Sequence, residues 1–251
     1  MNQREIISIF NSVMNLIVDI GNTNTKLALF VKNEMKESFL NDTAIAEILQ
    51  RKSVKHCIVS RTGANPELEA RIRKKKINTL YFTPRLKIPL KILYKTPETL
   101  GNDRIAGAVA ASNIFPKQNI LKIDFGSCIT YDFVNTKGEY TGGGISPGMM
   151  MRFKALHGYT QKLPLVDPME TKIFHLVGTD TPSSIRSGVI FGIKNEVLGI
   201  INEYELRFGA VKIVATGGDE GLFVTLLEKE IFARPFLVAE GLNAILNYNL
   251  Q

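Results

Sequence analysis

Tryptophan is absent from this 251-residue chain, and cysteine and histidine are scarce: Cys57 and Cys128 accompany only His56, His157 and His175. Two thiols so far apart build no disulfide framework, and the three histidines show no metal-ligand spacing, so no zinc site and a reduced, cytoplasmic setting are expected. Cys57 sits in the strand-like "HCIVS", where a free thiol reads as a small core residue. Long apolar runs are missing too. The N-terminal "MNQREIISIFNSVMN" has neither the apolar length of a membrane span nor a signal-peptide cleavage pattern, so neither membrane insertion nor export is expected. Met14 immediately precedes the first strand, and residues 1–13 read as a dispensable extension or the product of an upstream start codon.

What is present suits a globular protein. With 45% hydrophobic and 22% charged residues, the chain can bury one large core or two modest ones. Lys plus Arg number 31 against 24 for Asp plus Glu, a formal charge of +7 that favours anionic partners without choosing among them. The densest basic run, "RIRKKK" from Arg71 to Lys76, follows "PELEA" and reads as a helix end, where cations complement the dipole, rather than as a nucleic-acid contact.

A strand-turn-strand pattern occurs twice. "NLIVDIGNTNTK" is an apolar strand ending in Asp19-Ile20-Gly21, followed by small polar residues and the alternating strand "KLALF". "ILKIDFGSCITYDFV" repeats the order, with Asp124 and Gly126 in the places of Asp19 and Gly21. Two such units predict two similar α/β domains. Helices are expected near Asp42–Arg51, from Pro66 and near Asp103–Phe115, with strands near Val54–Ser60 and Thr79–Thr83. In the second half, "GEYTGGG" reads as a hairpin strand running into a tight turn, and Ser146-Pro147 as a helix start. Thr181 is the expected N-cap and Pro182 the first residue of a long helix with apolar positions Ile185, Val189, Ile193, Val197 and Ile200. "AVKIVATGGDEG" predicts a strand and glycine turn, and "FLVAEGLNAILNY" a closing helix. With no Pro- or Ser-rich linker, a hinge near Pro116–Asn119 divides a first domain, 14–117, from a second, 118–251.

Turns of glycine and small polar residues let backbone N–H groups approach phosphate oxygens closely. Gly21, Asn22 and Thr23 fit that use, Asp19 can hold hydrated Mg²⁺ beside the same phosphates, and Lys26 offers a point charge. One Asp-x-Gly turn is common in proteins generally; the second copy and a third glycine turn at Thr216–Asp219 make the phosphate reading the stronger one.

The ordered set "DIGNTNTK", "TLGNDRIAGAVAA", "IDFGSCIT", "YTGGGISPGM", "GTDTPSSIRSGV" and "ATGGDEG" resembles a type III pantothenate kinase from about Met14 to the C-terminus. The resemblance implies the actin, Hsp70 and sugar-kinase superfold: two ribonuclease-H-like α/β domains with an interdomain nucleotide cleft. It implies ATP-dependent phosphorylation of pantothenate to 4′-phosphopantothenate, the entry step of coenzyme A synthesis. Carried over by motif, Asp19, Ile20, Gly21, Asn22, Thr23, Asn24, Thr25 and Lys26 would bind the ATP phosphates, with Asp19 positioning Mg²⁺. Asp103 matches the proton acceptor at the substrate hydroxyl, and Tyr94, Gly101, Asn102 and Arg104 match pantothenate contacts. Asp124 corresponds to a monovalent-cation site, for K⁺ or ammonium. Ser127 stands at an ATP contact normally held by threonine, keeping the hydroxyl and losing a methyl. Thr181 matches a residue that reaches pantothenate from the neighbouring subunit, which implies a homodimer.

Plainer roles stay open for each. Asp103 can be an N-cap, Asp124 a second Mg²⁺ ligand or a structural turn, Arg104 an ion-pair partner, Tyr94 a strand aromatic, and Met149–Met151 apolar helix filling. Two other functions remain: a transcription accessory protein on the same scaffold, against which stands the lack of any helix-turn-helix or aromatic-basic pattern, and a kinase for a sugar or an acetate-like acid.

Overall fold

The computed structural model describes residues 13–21, 24–83, 85–171 and 173–251. They form two units: residues 13–114 with Phe236–Gln251, and Phe115–Pro235.

Unit 1 begins with an antiparallel meander, β1 (Met14–Ile20), β2 (Thr25–Val31) and β3 (Glu34–Leu40). A short helix, α1 (Ile45–Ile48), leads to β4 (Val54–Arg61), and α2 (Pro66–Arg73) leads to β5 (Asn78–Tyr81). Both return parallel, as crossovers of this length permit, and the sheet order is β3-β2-β1-β4-β5. The two-residue β6 (Lys91–Ile92) and a 3₁₀ turn at Pro97–Thr99 precede α3 (Asn102–Ile114).

Side chains alternate along these strands. Leu16, Val18, Ile20, Leu27 and Leu29 share one face with Cys57 and Val59 and pack against Ile45, Ile48, Leu68 and Ile72. Burial pushes the Cys57 thiol pKa well up, as befits a core residue. Asn65 caps α2 by accepting from the Leu68 amide at 3.1 Å, and Arg71 and Arg73 fill its last turn, so the basic run does end a helix.

Unit 2 repeats the scheme. Strands β7 (Asn119–Phe125), β8 (Cys128–Val134) and β9 (Glu139–Pro147) form the meander, followed by α4 (Met149–Gly158) and the 28-residue α5 (Thr181–Phe208). Then β10 (Val211–Thr216), α6 (Glu220–Leu227) and β11 (Phe232–Ala233) complete the order β11-β10-β7-β8-β9, with β10 parallel to β7. Leu121, Ile123 and Phe125 bury against Phe153, Ile190, Ile193 and Phe223.

Four boundaries differ from expectation. Gly142–Gly144 lie inside β9 rather than in a turn, because a Cβ on Gly143 would overlap the Tyr131 carbonyl oxygen of the neighbouring strand. Helix α4 starts at Met149 with Gly148 as cap, not at Ser146-Pro147. The cap of α5 is Asp180, one residue earlier than Thr181: its carboxylate accepts from the Ser183 amide at 2.8 Å while the Ser183 hydroxyl accepts from the Asp180 amide at 3.0 Å. Finally, the last helix, α7 (Leu237–Leu250), belongs to unit 1 although it comes after unit 2 in the chain. Gly241 lies against the Ala106 backbone of α3 where any side chain would collide. The buried Asn15 amide donates to Asn243 and Asn247 at 2.8 Å each, and Asn243 donates to the Lys32 carbonyl at 2.7 Å.

Candidate active site

In unit 1 the apolar register of β1 leaves Asp19 at its carboxyl end, on the face opposite the Leu16, Val18 and Ile20 core. Lys26 stands opposite Asp19 across the β1–β2 pair, and Ser60 beside it across β1–β4. The turn after β1 is tight: the Gly21 amide donates to the Asn24 carbonyl at 3.0 Å, and a Cβ on Gly21 would stand 3.0 Å from that oxygen. Ile20 buries its side chain and offers only backbone, its carbonyl accepting from Thr62 and Gly63 at 2.9 and 3.0 Å. Asn24 and Lys26 are exposed and Thr25 half-buried. Asn22 and Thr23 lie outside the described residues.

The Gly101–Arg104 tetrad starts α3. The Asn102 side-chain Nδ2 donates to the Arg61 carbonyl at 3.4 Å, which sets this helix start at the carboxyl end of β4, one residue from Ser60. Asp103 accepts from the Arg104 amide at 2.8 Å, so its carboxylate does hold a first-turn N–H. A Cβ on Gly101 would stand 2.5 Å from Asp103 Oδ1; the glycine is what leaves that carboxylate room. Arg104 is buried, and its guanidinium lies 6.0 Å from the Tyr94 ring centroid, close enough for a cation–π contact. Unit 1 therefore gathers Asp19, Lys26 and the tetrad at one end of its sheet, with Tyr94 against the tetrad.

In unit 2, Asp124 ends β7 as Asp19 ends β1, with Thr130 and Thr216 as its cross-strand neighbours. Gly217 turns with φ +106°, and a Cβ there would meet Phe125 at 2.5 Å and Asp124 Oδ1 at 2.6 Å. Gly148 packs on the Gly126 and Ser127 carbonyls, leaving Ser127 exposed on a glycine-lined turn. Asp219 donates its amide to the Phe125 carbonyl at 3.0 Å, and burial raises its carboxyl pKa. Thr181 is exposed at the start of α5.

Sequence reasoning missed several partners. Lys122 is 1% exposed, and its ammonium lies 2.8 Å from Asp132 and 3.9 Å from Asp124. Asp132, fully buried, also accepts from the Tyr140 hydroxyl at 2.7 Å. A charged residue two places before Asp124 in an apolar strand was the available signal. Glu196 accepts from Tyr131 at 2.8 Å and Arg152 at 2.5 Å, joining α5 to the sheet and to α4.

These residues fit the groups a kinase needs. No cluster of three His, Cys, Asp or Glu occurs among the described residues, so no all-protein metal cage exists there; a lone strand-end carboxylate such as Asp19 suits Mg²⁺, which keeps several waters and takes phosphate oxygens. Asp124 is a strand-end carboxylate of the same kind, with the Lys122 ammonium 3.9 Å away.

The family model for type III pantothenate kinase matches residues 15–203. The chain belongs to that family. A type III pantothenate kinase from Bacteroides fragilis is 43% identical over 241 residues, covering 94% of this chain and 98% of the relative, and one from Christiangramia forsetii is 42% identical over 94% and 99%. Type III pantothenate kinases are phosphotransferases that phosphorylate the alcohol of pantothenate in coenzyme A biosynthesis, with ATP as co-substrate. Among solved structures, a Campylobacter jejuni protein described as a Baf family transcriptional activator aligns with TM-score 0.55 at 20% identity, over 94% of this chain and 98% of its own. A Balamuthia mandrillaris glucokinase aligns with TM-score 0.51 at 8% identity, over 98% and 99%. At such identities the likeness concerns the fold, the two-domain ribonuclease-H-like architecture of actin-like kinases, which agrees with the repeated meander of this type III pantothenate kinase. No described helix is long and apolar enough to cross a membrane.

Proposed function

We propose that in this type III pantothenate kinase Asp103 accepts the proton of the pantothenate hydroxyl as that oxygen attacks the γ-phosphorus of ATP. The reading rests on one observation above others: the half-buried Asp103 carboxylate stands at a helix start, in room left by Gly101, at the same end of the sheet as Asp19. Phosphoryl transfer depends mainly on aligning the nucleophile and neutralising charge, so one carboxylate at the acceptor and cations and N–H donors at the phosphates suffice. Tyr94, Asn102 and Arg104 hold pantothenate, Arg104 supplying the cation for its carboxylate. The Asp19–Lys26 turn binds the ATP phosphates, and Ser127 donates its hydroxyl to the nucleotide. Asp19 holds Mg²⁺, which when bound neutralises phosphate charge. Asp124 holds the monovalent cation.

A homodimer completes the proposal, with Thr181 serving the partner's pantothenate. Support comes from unit 2, where Ile145, Met151, Tyr159, Leu176 and Val177 are 44–92% exposed, apolar side chains that a second copy would cover. We infer a cytoplasmic location from the two free cysteines, one of them buried. The test is a coupled ADP assay with pantothenate, common sugars and acetate, each with K⁺, ammonium or Na⁺. Turnover with pantothenate alone among the acceptors supports the assignment, and equal turnover in Na⁺ removes the Asp124 role.

A further inference from the structure

The two meanders agree in more than strand order. In each, the strand-end carboxylate has a hydroxyl residue beside it on the parallel neighbour: Ser60 next to Asp19, and Thr216 next to Asp124. Residues in register across a parallel pair project from the same face of the sheet. Both hydroxyl residues are buried, Ser60 at 0% and Thr216 at 2% exposure. Among the described residues Ser60 Oγ has no hydrogen-bond partner, and it lies one residue from Arg61, whose carbonyl receives the Asn102 side chain of the tetrad.

Burying a hydroxyl without a partner costs about 1–3 kcal/mol, and an alanine of nearly the same volume would avoid it. Such a group calls for a role outside the empty fold. The position supplies one. A donor beside a metal-facing carboxylate can engage one of its oxygens and so decide which oxygen faces the metal.

We propose that Ser60 is a positioning residue of the phosphate site: its hydroxyl donates to the Asp19 carboxylate when the metal-nucleotide is bound, orienting it toward the metal. This rests on the reading that Asp19 serves Mg²⁺. Ser60 touches neither nucleotide nor pantothenate and acts through Asp19. Donors in this outer position typically change metal affinity about 10–100-fold.

The test compares native protein with Ser60→Ala, Ser60→Cys, Ser60→Thr and Asp19→Asn. Without nucleotide or metal, Ser60→Ala should unfold at the same or a higher temperature, because it deletes an unsatisfied group. With a non-hydrolysable ATP analogue, Mn²⁺ titration monitored by electron paramagnetic resonance should show about tenfold weaker binding for Ser60→Ala and Ser60→Cys, and near-native binding for Ser60→Thr. The Mg²⁺ concentration for half-maximal turnover should rise equally while KM for pantothenate stays put. Native Mn²⁺ affinity in both Ser60→Ala and Ser60→Cys overturns the proposal; if Ser60→Ala is also destabilised, the hydroxyl holds a structural water instead. Should Ser60→Ala fail to fold, Ser60→Cys against Ser60→Thr decides alone. Asp19→Asn separates the two claims: native Mn²⁺ affinity there defeats the Asp19 reading, whereas loss there with native affinity in the Ser60 variants defeats only this inference.

Discussion

Asp103 Oδ1 occupies the space into which a side chain on Gly101 would grow, 2.5 Å from the position of its Cβ. The obstructed atom is the end of a flexible side chain, so Gly101→Ala should unfold within a few degrees of the native protein. Its cost should fall on catalysis, because a carboxylate moved by about 1 Å can lose on the order of a hundredfold in rate. Steady-state kinetics beside a melting curve checks this; native kcat in Gly101→Ala would show that Asp103 needs no such room.

Asp103→Asn keeps an oxygen able to accept from the Arg104 amide, so the first turn of α3 should keep that bond. A general base contributes about 10²–10⁴-fold, and kcat should fall by at least a hundredfold with KM for ATP nearly unchanged. Near-normal turnover in the coupled assay would leave Asp103 only its bond to the Arg104 amide.

Lys122→Met should destabilise unit 2 strongly. It would leave the fully buried Asp132 without its cation, and breaking a buried pair costs about 3–5 kcal/mol. Asp132→Asn in the same chain should recover much of the loss, since an amide carries no charge to strand. Urea unfolding of the single and double variants measures the coupling.

Acid should act through Glu196. Burial raises its pKa, but hydrogen bonds from Arg152, Tyr131 and Ser146 outweigh that, and the pKa lies below the usual 4.5. A depressed carboxyl pKa contributes stability that is present above the unfolded value and is lost as pH falls through the folded one. Melting temperature should therefore drop as pH is lowered from about 5 toward 3, and Glu196→Gln should flatten that part of the profile. An unchanged slope would remove Glu196 from the acid response.

Much of this was legible in the residues. The apolar runs in "NLIVDIG" and "ILKIDFG", each broken by an Asp-x-Gly turn, place Asp19 and Asp124 at strand ends. The Asp180 cap was within one residue of the expected Thr181, and the long amphipathic α5 was foreshadowed by its apolar spacing. The glycines of "YTGGGIS" misled, because glycine serves turns and close strand contacts alike and only the Tyr131 backbone across the pair distinguishes them.

Local pattern determined most of the strands and helices and the duplicated Asp-x-Gly turns, since hydrophobic period and turn chemistry act over a few residues. Only tertiary structure decided that α7 belongs with the first unit, that Lys122 answers Asp132, and that Ser60 stands beside Asp19. Those relations join residues distant in the chain, and they depend on which strands pair, in what register, and which backbones come close enough to demand glycine.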